Sequence, residues 1–260
     1  MDNDERGPAS SVRSVNRSLD ILELLGTRSK VTLADVARFL GLPRSSAHAL
    51  LTTLTARSYA SYSPSDRNYS IGMRTWELGQ QFHVFDALLT HAVPQMEDLV
   101  ATLDEICQLA TRDGRQLVYL HRVDSQQPMQ LISKRGERLN AHASGLGKAL
   151  LSALSDREID ELYADYELQV FTPTTIRDVT SLKREIEQVR RTGIAEDREE
   201  YVQGLRCVAA PILDSTGTPI AAISVSLPTV RFSEAWRRKA APLLIDHAKA
   251  ISSALGARVA

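Results

Sequence analysis

Gly41-Leu42-Pro43-Arg44-Ser45-Ser46-Ala47-His48-Ala49-Leu50-Leu51-Thr52-Thr53-Leu54 reads as a glycine turn running into a short helix. Glycine allows the tight reversal, and a proline at or just inside a helix start loses no intrahelical bond. The helix therefore starts near Arg44. Ala47, Leu50, Leu51 and Leu54 recur at three- and four-residue spacing and form its buried face, which leaves Arg44, Ser45, Ser46, His48 and Thr52 largely on the rest of the surface.

Upstream, residues 32–40 open on Thr32 with an acid, Asp35, three positions on, the pattern of a helix cap. Two helices around a tight turn, the second with Arg and Ser near its start, match the helix-turn-helix that lays its second helix in a DNA major groove. An ordinary helical hairpin has the same outline, so the surroundings must decide. Val12, Val15, Leu19, Leu22 and Leu25 predict a preceding helix whose apolar stripe packs across the pair. Downstream, Tyr59 to Tyr62 and Asn68 to Ile71 flank Ser63-Pro64-Ser65-Asp66-Arg67, a short hairpin. Helices followed by a hairpin make a winged helix-turn-helix, with Arg67 at the wing tip either reaching DNA or simply facing solvent.

Charge distribution agrees with a nucleic-acid reader. The 260 residues carry a net charge of −1, yet residues 6–74 hold ten Arg or Lys against four acids, a balance of +6, which leaves −7 for the remainder. An apolar fraction of 43% and a charged fraction of 24% belong to a soluble globular chain. Cys107 and Cys207 form no CxxC pair, so a reducing compartment is expected, with neither a disulfide framework nor a zinc ribbon. No membrane-length apolar run occurs, and the acidic start is unlike a signal peptide; we expect a cytoplasmic protein with a disordered leader of about ten residues.

Residues 72–89 predict a linker helix whose apolar excess, including Trp76, Phe82 and Phe85, exceeds what a small domain covers. A second domain is expected from about Ala92-Val93-Pro94, with a helix over 95–102 and strands over 106–110, 116–123 and 129–133. Ser144 is placed to cap a helix beginning at Gly145, Ser155-Asp156-Arg157-Glu158 forms a capping box, and Asp178 starts a helix that Gly193 stops. Residues 204–213 and 218–227 read as a hairpin around Asp214-Ser215-Thr216-Gly217. On its second strand Ile223, Val225 and Leu227 share one face, Ser224 and Ser226 the other; Cys207 joins the serines if the register sum is odd. A last helix, capped by Ser233, returns over the sheet.

Several chemistries can be weighed on these residues. His142 and Cys207 lie in apolar contexts with nothing fixing them as a thiolate–imidazole pair. The spacing of His142, Asp197, Glu199, Glu200 and Cys207 matches no compact metal site, and Gly145-Leu146-Gly147-Lys148 is too short for a phosphate loop. No catalytic residue, metal or cofactor is therefore expected. A ligand site fits better: the helix start after Ser144 offers free N–H groups to an anion, and Ser224 and Ser226 add hydroxyls, although a capped helix beside an ordinary hairpin would look alike.

Five stretches, in order, resemble the IclR family of bacterial transcriptional regulators: Ser14-Val15-Asn16-Arg17-Ser18-Leu19-Asp20-Ile21-Leu22; Leu33-Ala34-Asp35-Val36-Ala37 with Gly41 to His48; Tyr69-Ser70-Ile71-Gly72; His142-Ala143-Ser144-Gly145-Leu146-Gly147-Lys148-Ala149; and Gly204-Leu205-Arg206-Cys207-Val208-Ala209-Ala210-Pro211. The resemblance implies an α+β chain with an N-terminal winged helix-turn-helix over 11–74, a linker helix over 75–91 and a GAF/PAS-like effector-binding domain with an antiparallel sheet over 92–257. It implies a homodimer or homotetramer. It also maps effector contacts onto Gly145, Leu146, Asp197, Cys207, Ser224 and Ser226, with Leu131, Leu139 and Leu205 as apolar walls. The His-Ala-Ser-Gly form looks like the branch responding to glyoxylate and pyruvate, which implies a small 2-oxo or 2-hydroxy acid. Two departures stand out: Asn140-Ala141 replaces a common Pro-Leu, and Ala49 stands where the family often has Arg.

The expectation is a repressor that binds operator double-stranded DNA through Arg44, Ser45, Ser46, His48, Thr52 and Arg67 under control of a small organic acid, with no membrane partner. The competing class is an enzyme or non-catalytic metabolite sensor whose winged helix docks another protein.

Overall fold

The computed structural model describes residues 12–28, 30–127 and 134–257. Leu131, the strand expected over 129–133 and the expected leader lie outside the described residues. The chain divides into two compact units, with the boundary between Val84 and Phe85.

In the first unit α1 (Arg13–Thr27), α2 (Leu33–Phe39) and α3 (Arg44–Ala56) precede a hairpin of β1 (Ala60–Ser63) and β2 (Asn68–Ile71). Thr32 and Asp35 close a reciprocal capping box on α2, and α3 starts at Arg44 after Pro43. Ile21, Leu25, Val36, Ala47, Leu51 and Leu54 meet in the core, sealed by Val31, Leu42, Ala60 and Tyr69. The expected stripe on α1 is corrected. Val12, Val15 and Leu19 are 61%, 53% and 52% exposed, while Ile21, outside the stripe, is fully buried. Helical spacing identifies an apolar face but not how much of it is covered, and only the C-terminal half of α1 supplies this core.

The single linker helix is corrected too. Two helices occupy that stretch, α4 (Met73–Gly79) and α5 (Asp86–Leu103). The second runs straight through Pro94. Proline forfeits one helix bond there, but Leu88, Ala92, Met96, Leu99 and Leu103 bury a continuous face that outweighs the loss.

The second unit is built on one antiparallel sheet in the order β5-β4-β3-β8-β7-β6, comprising β3 (Ile106–Asp113), β4 (Gln116–Val123), β5 (Arg138–Asn140), β6 (Ala195–Arg198), β7 (Leu205–Leu213) and β8 (Pro219–Pro228). α5 and α9 (Glu234–Ala254) pack with Cys107, Leu109, Val208, Ala210, Ile223 and Val225 on one face. On the opposite face α6 (Gly145–Leu151) and α8 (Val179–Thr192) meet Ala110, Leu117, Tyr119, Ala209 and Ala222, and α7 (Asp156–Tyr163) packs outside α6 and α8. The caps foreseen at Ser144, Ser155, Asp178 and Ser233 all form. No helix among the described residues is long and apolar enough to cross a membrane.

Candidate functional site

In the first unit the turn between α2 and α3 places Gly41 at φ +61. The Leu42 N–H reaches the Ala37 carbonyl at 2.9 Å, and this bond fixes how α3 leaves α2. Arg44, Ser45 and His48 are exposed on α3, Ser46 is half-buried, and the Thr52 hydroxyl donates to the His48 carbonyl of its own helix at 2.8 Å. Arg67 lies exposed at the hairpin tip with φ +54, and the tilted rings of Tyr62 and Tyr69 brace that hairpin at 4.7 Å between ring centres.

In the second unit strand register builds the site. Cys207 faces Ser226 across the hairpin, an odd sum, so the cysteine shares the serine face. One rung runs Asp197, Cys207, Ser226; the next runs Ala195, Ala209, Ser224, Gln108. These rungs floor a cavity of about 110 Å³ under α6. Leu139, Leu146, Asp197, Leu205, Cys207, Ser224 and Ser226, each anticipated from the sequence, line it. Gly145 adjoins it: a Cβ there would fall 2.6 Å from the Cys207 sulfur, so only glycine lets the helix start approach this closely.

Other lining residues escaped the sequence reading: Gln108, Tyr119, Glu137, Ser144, Tyr201 and Val202. Gln108 carried a signal, being an amide inside the apolar run Ile106-Cys107-Gln108-Leu109-Ala110. β6 was missed because Ala-Glu-Asp-Arg reads as a charged loop; Glu196, bonded to Arg237 at 2.5 Å and within 4 Å of Arg198 and Arg206, neutralises the strand's charge.

Among the described residues the cavity walls hold two carboxyl groups, Glu137 and Asp197, and no Arg, Lys or His. Lys148, fully buried beneath, is occupied by Glu200 at 2.6 and 2.7 Å and by Glu185 at 3.7 Å. One Asp197 oxygen accepts the Glu200 N–H at 2.7 Å. Burial first, and the Glu200 carboxylate second, push the Asp197 pKa up to about 7. Burial, followed by the neighbouring Asp197 charge, raises the Cys207 thiol to about 12. Ser226 donates to the Gln108 amide oxygen at 3.0 Å, whereas the Ser224 hydroxyl, fully buried, has no partner among the described residues.

His142 is not part of this wall. Its Nε2 lies 3.0 Å from the Gln169 carbonyl and its ring stacks on Phe171, so no Cys207–His142 pair is assembled in the cavity. Among the described residues no group of three or more His, Cys, Asp or Glu is placed to hold a metal ion.

Comparison with known proteins covers both units. The IclR helix-turn-helix domain matches residues 14–64, and the C-terminal domain of bacterial transcriptional regulator IclR matches residues 83–253. The HTH-type transcriptional regulator BhcR of Paracoccus denitrificans is 31% identical over 250 residues, covering 96% of this chain and 90% of its own. The HTH-type transcriptional repressor AllR of Escherichia coli is 34% identical over 238 residues, covering 92% and 87%. The crystal structure of an IclR homolog from Microbacterium hydrocarbonoxydans, complexed with 4-hydroxybenzoate, superposes with a TM-score of 0.81 over 93% of this chain and 98% of that one; at 24% identity it shows a shared fold. The chain belongs to the IclR family of bacterial transcriptional regulators and is a DNA-binding regulator of transcription.

Proposed function

We propose that this regulator represses transcription in the cytoplasm and that a small organic acid, of the 2-oxo or 2-hydroxy class, sets its hold on operator DNA from the cavity beside Ser224. The observation carrying the acid site is the Ser224 hydroxyl, wholly buried and unpartnered on a cavity wall that also presents Ser226, Gln108, Cys207 and Asp197. An orphaned hydroxyl in such a place costs about 1–3 kcal/mol, which a bound acceptor recovers. With no cation in the wall among the described residues, neutral donors hold the acid, and Asp197, which keeps its proton to about pH 7, donates as well. That a protein of this fold was crystallised with 4-hydroxybenzoate supports an acid ligand.

The cavity binds without turnover in this reading, since a Cys207 thiol held near 12 is a poor nucleophile. Leu139, Leu146 and Leu205 serve as apolar walls, and Gly145 as the close approach. On DNA, Arg44, Ser45, Ser46 and His48 face bases or adjacent phosphates while Thr52 and Arg67 contact the backbone. Exposed Val12 just before α1, Val15 and Leu19 on α1, and Met73 and Trp76 on α4 support assembly as a homodimer or tetramer.

Two titrations test this. Gel shifts of the DNA upstream of its own gene, at fixed salt, should show Arg44→Ala weakening binding by about 1–3 kcal/mol and relaxing sequence preference. Calorimetry with pyruvate and glyoxylate should show binding to the wild type and its loss in Ser224→Ala and Ser226→Ala; unaltered binding in both variants rejects the cavity.

A further inference from the structure

Beside the exposed face of α3 lies an open groove of about 370 Å³, lined by Arg13, Ser14 and Arg17 of α1 and by Ser46, Ala49 and Leu50 of α3. Arg13 and Arg17 are one helical turn apart and share a face of α1, as like charges that repel mildly. Neither makes an ion pair or hydrogen bond with any described residue, and Asp20, three positions beyond Arg17, does not neutralise it. Ala49, an exposed methyl, leaves the space between the two helices unfilled. Arg17 is half-buried, so its stem packs while its head faces the groove, and the hydroxyls of Ser14 and Ser46 add neutral donors.

Two unneutralised guanidinium groups with hydroxyls between them suit a phosphate diester. Among the described residues nothing in the groove offers an aromatic platform for a base, and the only large apolar side chain there is Leu50. A helix seated in the major groove is bordered by phosphates, and a cationic rim on the helix packed next to it falls where such a phosphate runs. We propose that Arg13 and Arg17, with Ser14 and Ser46, grip a DNA backbone phosphate alongside α3 and supply affinity that is independent of sequence. The inference rests on α3 being the DNA-reading helix.

Fluorescence anisotropy on a labelled, mixed-sequence duplex, with the full chain and salt varied between about 50 and 200 mM, tests it. The variants are Arg13→Gln and Arg17→Met, the latter keeping the packed stem without its charge. For each bound chain, the slope of log affinity against log salt should fall by about 0.9 when both arginines are removed and by less when either one is, with affinity of the double variant near 0.1 M salt dropping roughly fivefold to tenfold. Arg13→Lys and Arg17→Lys should keep the slope. Adding Ala49→Arg to the double variant should restore part of it, because that charge enters the same groove. A double variant that unfolds at the wild-type temperature yet keeps the wild-type slope overturns the proposal; should Arg17→Met fail to fold, Arg13→Gln alone decides by the same criterion. A wild-type chain with no salt-dependent binding removes instead the DNA-reading role of α3, and this inference with it.

Discussion

Asp197 is pulled two ways: its position in β6 buries it against the Cys207–Ser226 rung, while the Glu200 N–H and the Lys148 charge favour the ionised form. Burial wins and its pKa rises from 3.8 to about 7. The folded chain thus holds a proton that the unfolded chain has released, so this residue's contribution is full below about pH 4 and lost as pH rises through about 7. His121 and His142, both lowered by burial, act in the opposite sense, destabilising the fold as pH falls below their usual 6.5. Comparison with Asp197→Asn isolates the carboxyl: in urea melts, the wild type should lose stability relative to the variant between pH 5 and pH 8. A difference independent of pH would place the ionisation elsewhere.

Among the elements, α6 shows how a motif can mislead in isolation. Gly145-Leu146-Gly147-Lys148 looks like a truncated phosphate loop, but its lysine is fully buried and spent on Glu200. Lys148→Met should cost about 3–5 kcal/mol in chemical denaturation, because it strands a buried carboxylate, and Lys148→Met with Glu200→Met should recover most of that loss. α7 and α8 were legible in the sequence because their caps are local: Ser155 bonds Glu158, and Asp178 bonds Ser181, within one turn. α1 was legible as a helix but not in how much of its apolar face is covered, and the course of α5 was not legible, since coverage of an apolar face and tolerance of Pro94 depend on what packs against them.

For the whole molecule, DNA reading and acid binding must be coupled reciprocally if the proposed switch exists. An acid that changes affinity for upstream DNA by some factor must find its own affinity changed by the same factor when DNA is bound, in a range of about 5–150-fold for typical regulators. Calorimetry of pyruvate binding with and without saturating DNA should return the factor seen in gel shifts; equal pyruvate affinity in both conditions rules out coupling. By itself the sequence determined the winged helix-turn-helix, the antiparallel hairpin and the shared face of Ser224 and Ser226, because turns, caps and the period of two along a strand are short-range facts, whereas the pairing register placed Cys207 with them. Tertiary structure alone decided that Gln108, Tyr119, Glu137 and Tyr201 join that face, that Lys148 is consumed, and that Arg13 and Arg17 border α3. Those meetings join segments tens of residues apart, and which side chains are left without a partner emerges only after the others have found theirs.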